Sequence, residues 1–271
     1  MKDKSASSTG KHSPEPSNVS HQDFWRRNLF NIYRDLLKRW QGISPCATAL
    51  KTDLYDEAQT DYSPLFVLNS ESRCIAGIDI SFEIAQRARE RSKGKKPNLT
   101  VLACDVRSLA FKPESFDLVI SASTLDHFQD KNDIARSLNE ICRVLKSKGS
   151  LIITLDNIHN PVVKLRNLLP YSWLKSLKVI SYPIGKSVSL PELSEILESN
   201  GFKVCEALFI DHHPRILTVW LGYALQKTGI RPLESFFQKI LNLFERLQRS
   251  PIGSLTGYFL AVKATRKDDD R

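Results

Sequence analysis

A-G-I-D-I-S at residues 76–81 is the first of four segments built alike. A-C-D-V-R-S-L-A-F follows at 103–111, S-F-D-L-V-I-S-A-S-T-L-D-H-F at 115–128 and R-V-L-K-S-K-G-S-L-I-I-T-L-D-N at 143–157. Each is a short apolar run ending on a polar residue, and helical patterns separate them. Short strands alternating with helices of this length predict a parallel sheet with right-handed crossovers. Ligands of open α/β sheets sit outside the carboxyl ends of the strands. Strand-terminal Asp79, Asp105, Ser121 and Asp156 are therefore expected to converge on one crevice.

Working outward, residues 22–41 place Phe24, Trp25, Leu29, Ile32, Tyr33, Leu36, Leu37 and Trp40 on a repeating helical face, which Gly42 and Pro45 end. Residues 47–54 read as the first strand and 62–68 as a poor crossover helix. Strands are expected at 74–80, 99–104, 116–122 and 150–155, and helices at 82–92, with Ser81 as N-cap, and 131–145. Beyond Asn157 the alternation breaks, and 157–188, with Pro161, Pro170 and Pro183, reads as an insertion. A helix at 189–199 with Pro191 near its start, closed by Asn200-Gly201, leads into a sixth strand at 203–210. Two apolar helical stretches, 216–226 and 233–248, precede a last strand at 256–264. No internal repeat is visible.

The chain has 271 residues, enough for one sizeable α/β domain with insertions. No stretch approaches the ~20 apolar residues of a membrane span. Met1–Ser20 is rich in Lys and Ser, with Pro14, Pro16 and Asn18, lacks the apolar core of a signal peptide and is expected to be disordered. Five scattered cysteines without a C-x-x-C argue against a disulfide framework or zinc site, and for a cytoplasmic protein. The net charge of +9 gathers at Arg87–Lys96 and again at Lys164, Arg166, Lys175, Lys178 and Lys186. The first cluster reads as a solvated helix face and loop. The second alternates with Leu168, Leu169, Tyr171, Trp173 and Leu174, the pattern of a packed lid, an anionic-lipid contact or an acidic-substrate contact.

The four segments, in this order and spacing, resemble the central half of a class I S-adenosylmethionine-dependent methyltransferase. L-K-T-D-L-Y-D-E-A at 50–58 is similar to a bacterial subgroup with such a segment in place of the glycine-rich loop. The resemblance implies a Rossmann-like, doubly wound α/β sheet of seven strands, mostly parallel, with the last strand antiparallel between the fifth and sixth. It implies a methyltransferase domain over 22–265, with helical lid insertions at 157–188 and 211–252 enclosing the crevice. Residues 1–21 and 266–271 would be tails.

The same resemblance makes Asp79, followed by Ile80, the acceptor for both ribose hydroxyls, a bidentate contact only a carboxylate offers. A helix-capping acid is the plainer reading. Asp105 and Val106 would meet adenine, unless Asp105 pairs with Arg107. Ser121 and the following T-L-D-H-F would lie under the transferred methyl, with His127 as general base or as a capping histidine. Asp126, Asp156 and Asn157 face the same crevice as substrate contacts or loop caps. D-H-H-P-R at 211–215 offers His213 as a second base, with His212 and Arg215 toward the acceptor; adjacent histidines point apart in extended chain, so no metal is expected.

The first loop is the departure. A standard member places glycines here so that backbone approaches the methionine end of the cofactor, yet no glycine stands between Gly42 and Gly77. Asp53 or Asp56 is expected to bind the ammonium group, and Thr52 or Lys51 the carboxylate. The expected activity is methyl transfer from S-adenosyl-L-methionine to a small-molecule, lipid or sugar acceptor, without nucleic acid and with peripheral membrane contact possible. The rival is a binding or scaffold protein that has lost the cofactor. Trp173, Tyr171, Tyr182, Trp220 and Phe236 are apolar-pocket candidates, although core packing explains them as well.

Overall fold

The computed structural model describes residues 23–41, 47–68, 74–96, 98–170, 172–173, 185 and 187–268. The expected N-terminal tail, Gly42, Pro45, Tyr171, Lys175, Lys178, Tyr182, Pro183 and Lys186 lie outside them. Seven strands form one sheet: β1 (Thr48–Lys51), β2 (Cys74–Asp79), β3 (Leu99–Ala103), β4 (Phe116–Ala122), β5 (Leu145–Asp156), β6 (Phe202–Ile210) and β7 (Phe259–Arg266). Their order is β3-β2-β1-β4-β5-β7-β6. β3, β2, β1, β4 and β5 pair in parallel, and β7 runs antiparallel to both β5 and β6. The chain reverses direction across the sheet at β1 and β4. In open α/β sheets such a switch point, beyond the strands' carboxyl ends, is where ligands sit.

Alternation along each strand splits the core into two layers. Val119 of β4 and Ile153 of β5 face Ile134, Leu138 and Ile141 of α5 (Lys131–Val144), together with Leu193 and Leu197 of α7 (Leu190–Ser199). Their neighbours Leu118, Ile120 and Ile152 face Leu36, Leu37 and Trp40 of α1 (Asp23–Gln41) and Ala88 of α4 (Phe82–Ser92). Ser81 caps α4 as expected, accepting from the Ile84 N–H.

Several boundaries differ from the expectation, each for a local reason. β1 ends at Lys51 because Asp53 accepts the Tyr55 N–H and turns the chain into α2 (Tyr55–Gln59). The crossover at 62–68 contains only α3 (Pro64–Val67), opened by a Ser63 side-chain cap. β5 begins early because Leu145 pairs with Phe116 before a register shift, with Lys148 at φ 61°. The insertion after Asn157 opens with α6 (Pro161–Leu168), whose N-cap Asn160 accepts from the Val162 and Val163 N–H groups. The two later stretches form α8 (Arg215–Thr228) and α9 (Arg231–Phe244), the latter running into a 3-10 turn at Glu245–Arg249. Thr256 ends a helical turn, α10 (Gly253–Thr256), rather than opening a strand. The Asn157 and Asn160 side-chain amides hold the carbonyls of Ser254, Thr256 and Gly257, delaying β7 to Phe259.

Candidate active site

Asp79 is 7% exposed at the end of β2. Its Oδ1 accepts the Ser81 N–H at 2.8 Å and its Oδ2 accepts the Leu54 N–H at 3.1 Å. Burial raises its pKa, while these two N–H bonds oppose the shift. A carboxylate offers about four acceptor positions, so each oxygen keeps capacity for a ligand hydroxyl. Next to it Ile80 is 71% exposed, an apolar surface beside a strand-end acid. The residue that lets this happen is Gly77: a Cβ there would meet Leu54 Cδ2 at 2.5 Å. Leu54 of the glycine-free loop thus occupies the space that a side chain on β2 would take. The missing loop glycines are matched by one on the adjacent strand.

The rest of the first loop is a network of charges. Lys51 is 1% exposed, and its Nζ donates to the Asp53 carbonyl at 2.7 Å and to Glu57 Oε2 at 3.0 Å, with Asp53 Oδ2 at 3.3 Å. Burial disfavours its charge, but Asp53, Glu57 and Asp56 together raise its pKa. It is therefore committed inside the fold, and the expectation that it reaches a cofactor carboxylate is corrected. Thr52 and Thr124 share a hydrogen bond of 2.9 Å, and the Thr124 hydroxyl donates to Asp53 Oδ2 at 3.3 Å. Asp56 is pushed up by burial, with Lys51 and Arg26 opposing. Thr52 and Asp53 are thus joined through Thr124, and the charges of Asp53 and Lys51 act on Asp79. Thr124 joins the group from the T-L-D-H-F element, and Glu57 and Arg26 complete it without having been picked out from the sequence.

Asp105 sits in a different state from the one expected for an adenine contact. Arg107 clamps it through Nε and Nη2, at 3.1 and 2.7 Å, and through its own N–H at 2.8 Å. Those hydrogen bonds hold the carboxyl below its ordinary range. Arg107 also bonds Asp133 and lies over the Phe128 ring. The adjacent Val106 is 5% exposed within the core.

At the end of β4, Ser121 is buried, and Ser123 takes a left-handed conformation at φ 48°. For a residue other than glycine this costs energy and persists only where the surroundings fix it. Here the Ser123 N–H is held by the Thr154 carbonyl and hydroxyl, and the Thr154 hydroxyl in turn bonds Tyr33 at 2.6 Å. The chain then turns through the 3-10 segment Leu125–His127. His127 is exposed. Desolvation lowers its pKa, with Asp53 and Asp156 acting electrostatically in the opposite sense. Asp126 is buried, accepts the Asp156 N–H at 3.1 Å, and is raised well above its ordinary value by burial and then by Asp156. Gly185 closes over this turn, since a Cβ there would meet the Asp126 carbonyl oxygen at 2.2 Å.

The structure does not bring the remaining sequence candidates to the crevice in reacting form. The Asp156 carboxylate is bound by Arg166 at 2.5 Å, and Arg166 also donates to the Tyr258 hydroxyl at 3.0 Å. Asn157 is 1% exposed and spends both amide donors on carbonyls. His212 has one ring nitrogen on the Phe209 carbonyl and the other on Thr256. His213 is 3% exposed, its Nε2 lying 2.5 Å from Asp211 and 2.6 Å from Asn28, its Nδ1 3.0 Å from Thr218. Arg215 stacks over the Trp25 ring at 4.0 Å and the Tyr258 ring at 5.1 Å. These side chains tie the segments that follow β5 and β6 to α1 and to Tyr258.

A family model for a methyltransferase domain matches residues 63–153. An uncharacterised protein of Methanocaldococcus jannaschii is 35% identical over 167 residues, covering 61% of this chain and 58% of that protein. A polyketide synthase-nonribosomal peptide synthetase of Aspergillus clavatus is 31% identical over 159 residues, 55% of this chain but 4% of that protein. The chain thus spans less than two thirds of the length of these relatives. Among solved structures, a protein of Galdieria sulphuraria described as a candidate sarcosine dimethylglycine methyltransferase superposes with a TM-score of 0.58 at 14% identity. The match covers 89% of this chain and 86% of that one.

Proposed function

We propose that this chain, whose residues 63–153 match a methyltransferase-domain model, is a class I S-adenosylmethionine-dependent methyltransferase whose strand-end site binds S-adenosyl-L-methionine and passes the methyl group to a small or medium-sized acceptor. The observation that carries this reading is Asp79: a nearly buried strand-end carboxylate whose two oxygens are oriented by backbone N–H groups and retain acceptor capacity. Exposed Ile80 beside it fits a flat apolar ring. The residues present therefore suit the cofactor, with Asp79 on the ribose, Ile80 against adenine, and Asp53, Asp56 and Thr52 toward the methionine end. The Asp105 side chain, saturated by Arg107, acts as a brace for the adenine wall.

The bound cofactor supplies an electrophilic methyl already activated as a sulfonium, so no metal has to be invoked. The protein's part is alignment and proton removal. His127 is our base: exposed at the turn after β4, with a lowered pKa that keeps its imidazole neutral near pH 7. Asp126 bounds the acceptor side, its pKa raised by burial and then by Asp156. His213, walled in by Asn28, Asp211 and Thr218, holds α8 in place.

One observation favours the rival, a binding module without cofactor: Leu54 and the Lys51–Glu57 network occupy the ground that glycines usually leave open. Incubation with methyl-labelled S-adenosylmethionine and fractionated lipid, sugar and aqueous metabolite pools separates the two. Label transferred by wild type and strongly reduced in His127→Ala supports the enzyme. Absence of transfer to every fraction favours the binding module.

A further inference from the structure

Three helices on the crevice side of the sheet carry apolar stripes turned to solvent. On α9, Leu233, Phe236, Ile240 and Leu243 recur at helical spacing and are exposed, Phe236 by 61%. The opposite side of that helix already packs inward, through Phe237 and Leu241 against Phe24. On α8, Ile216, Leu217 and Leu221 are exposed, Ile216 by 68%, whereas Gly222 lies against the Phe24 ring. On α6, Val162, Leu165 and Leu168 are exposed, Leu168 by 74%, while Val163 is buried. Each helix therefore has one apolar side in the core and a second in water.

The stripes belong to one region. α6 follows β5, α8 follows β6 and α10 precedes antiparallel β7, so all three leave the same sheet edge. Tyr258 joins them, receiving the Arg166 hydrogen bond from α6 and lying under Arg215 of α8. The Asn160 cap of α6 holds the α10 turn. Exposed Ile252 and Leu255 extend the apolar surface from that turn.

The surrounding charge is predominantly positive. Between Arg215 and Thr256 stand Arg215, Lys227, Arg231, Lys239, Arg246 and Arg249 against two acids, Glu234 and Glu245. Both acids are engaged, Glu234 with Arg27 and Glu245 with the His212 N–H. Lys227, Arg231, Lys239, Arg246 and Arg249 are exposed. Apolar side chains flanked by basic ones are the composition of helices that lie in the headgroup region of anionic bilayers.

We propose that the α6, α8, α9 and α10 surface docks on an anionic lipid bilayer, setting the crevice against the membrane. Methyl-transfer chemistry is not needed for this, and the test runs without cofactor. The full chain is sedimented with vesicles of phosphatidylglycerol and phosphatidylcholine in equal parts, and with phosphatidylcholine vesicles alone. Binding to the anionic vesicles, weakened by salt and slight on phosphatidylcholine, is the expected result. The pair Leu165→Glu and Ile216→Glu, at exposed sites, should weaken it roughly tenfold or more with an unchanged urea midpoint. Lys239→Glu with Arg249→Glu, outside the apolar stripes, should weaken it with the same sign. Folded wild type that ignores anionic vesicles would overturn the proposal, as would binding that neither pair alters. So would a lipid-free dimer, dissociated by Ile216→Glu, whose subunits fail to bind vesicles.

Discussion

His127 and His213 show how far a residue type alone can be read. Both were candidate bases by type and position. His127 lies in the turn directly after β4, a few residues from the strand end that positions it, so its placement was legible. The fate of His213 depends on Asn28, 185 positions away in sequence, and its neighbour Asp211 bonds Trp25 across 186 positions. No local pattern announces such partners. Arg107 lay beside Asp105 in plain view, and the clamp was an alternative already open. If His127 removes the acceptor proton, its alanine variant should lose about 100–10,000-fold in kcat. The wild-type rate should fall as pH drops through a pKa below 6.5, and that acidic limb should be absent from the variant. A pH-rate profile of both proteins, with the acceptor identified by the labelling experiment, checks the assignment.

Elements were legible where apolar periodicity was strong and the caps were local. α4 and β4 have the expected bounds because Ser81 and the paired start Phe116-Asp117 mark them. The α10 turn was not foreseen, since side-chain amides of Asn157 and Asn160 fix its end from about a hundred residues away. The α1–α8 contact is another such case, closed through Gly222. A Cβ at Gly222 would approach the fully buried Phe24 ring to 2.6 Å. Gly222→Ala should therefore cost about 1–3 kcal/mol despite its better helix propensity, measured by urea unfolding; an unchanged or raised stability would refute this packing.

The 3-10 turn after α9 carries a pH dependence. Glu245 is pushed up to about 7 from 4.5, chiefly by burial, while its bond from the His212 N–H and nearby His213 oppose the shift. An acid whose folded pKa is raised binds its proton more readily folded than unfolded. Its contribution is present below pH 4.5 and fades as pH rises toward 7. Raised His213 contributes in the same direction, losing stability as pH rises through its folded pKa. Lowered Asp211 contributes the opposite way, its stabilisation lost as pH falls through its folded pKa. Glu245→Gln should flatten the loss between these limits, an effect on the order of 1 kcal/mol after solvent screening. Urea midpoints across the range for both proteins give the comparison.

At the scale of the whole molecule, the alternation at residues 76–157 made the parallel part of the sheet legible, whereas the antiparallel last strand between β5 and β6 was an implication of the family resemblance. Asp79 and the turn after β4 stand at the strand ends where such an order holds ligands. Less legible was how a loop without glycine fits there, because the compensation, Gly77 making room for Leu54, is a contact between neighbouring strands. The central claim is that this rearranged edge still takes S-adenosylmethionine, with Asp79 as its anchor. Calorimetric titration of S-adenosylmethionine and S-adenosylhomocysteine into wild type and Asp79→Asn tests it most directly. The account predicts saturable binding by wild type, and a loss of about 10–100-fold in the variant, the worth of charge-assisted hydrogen bonds at about 1.5–3 kcal/mol. Folded wild-type protein that binds neither compound, or an Asp79→Asn variant that binds both as tightly as wild type, would contradict it.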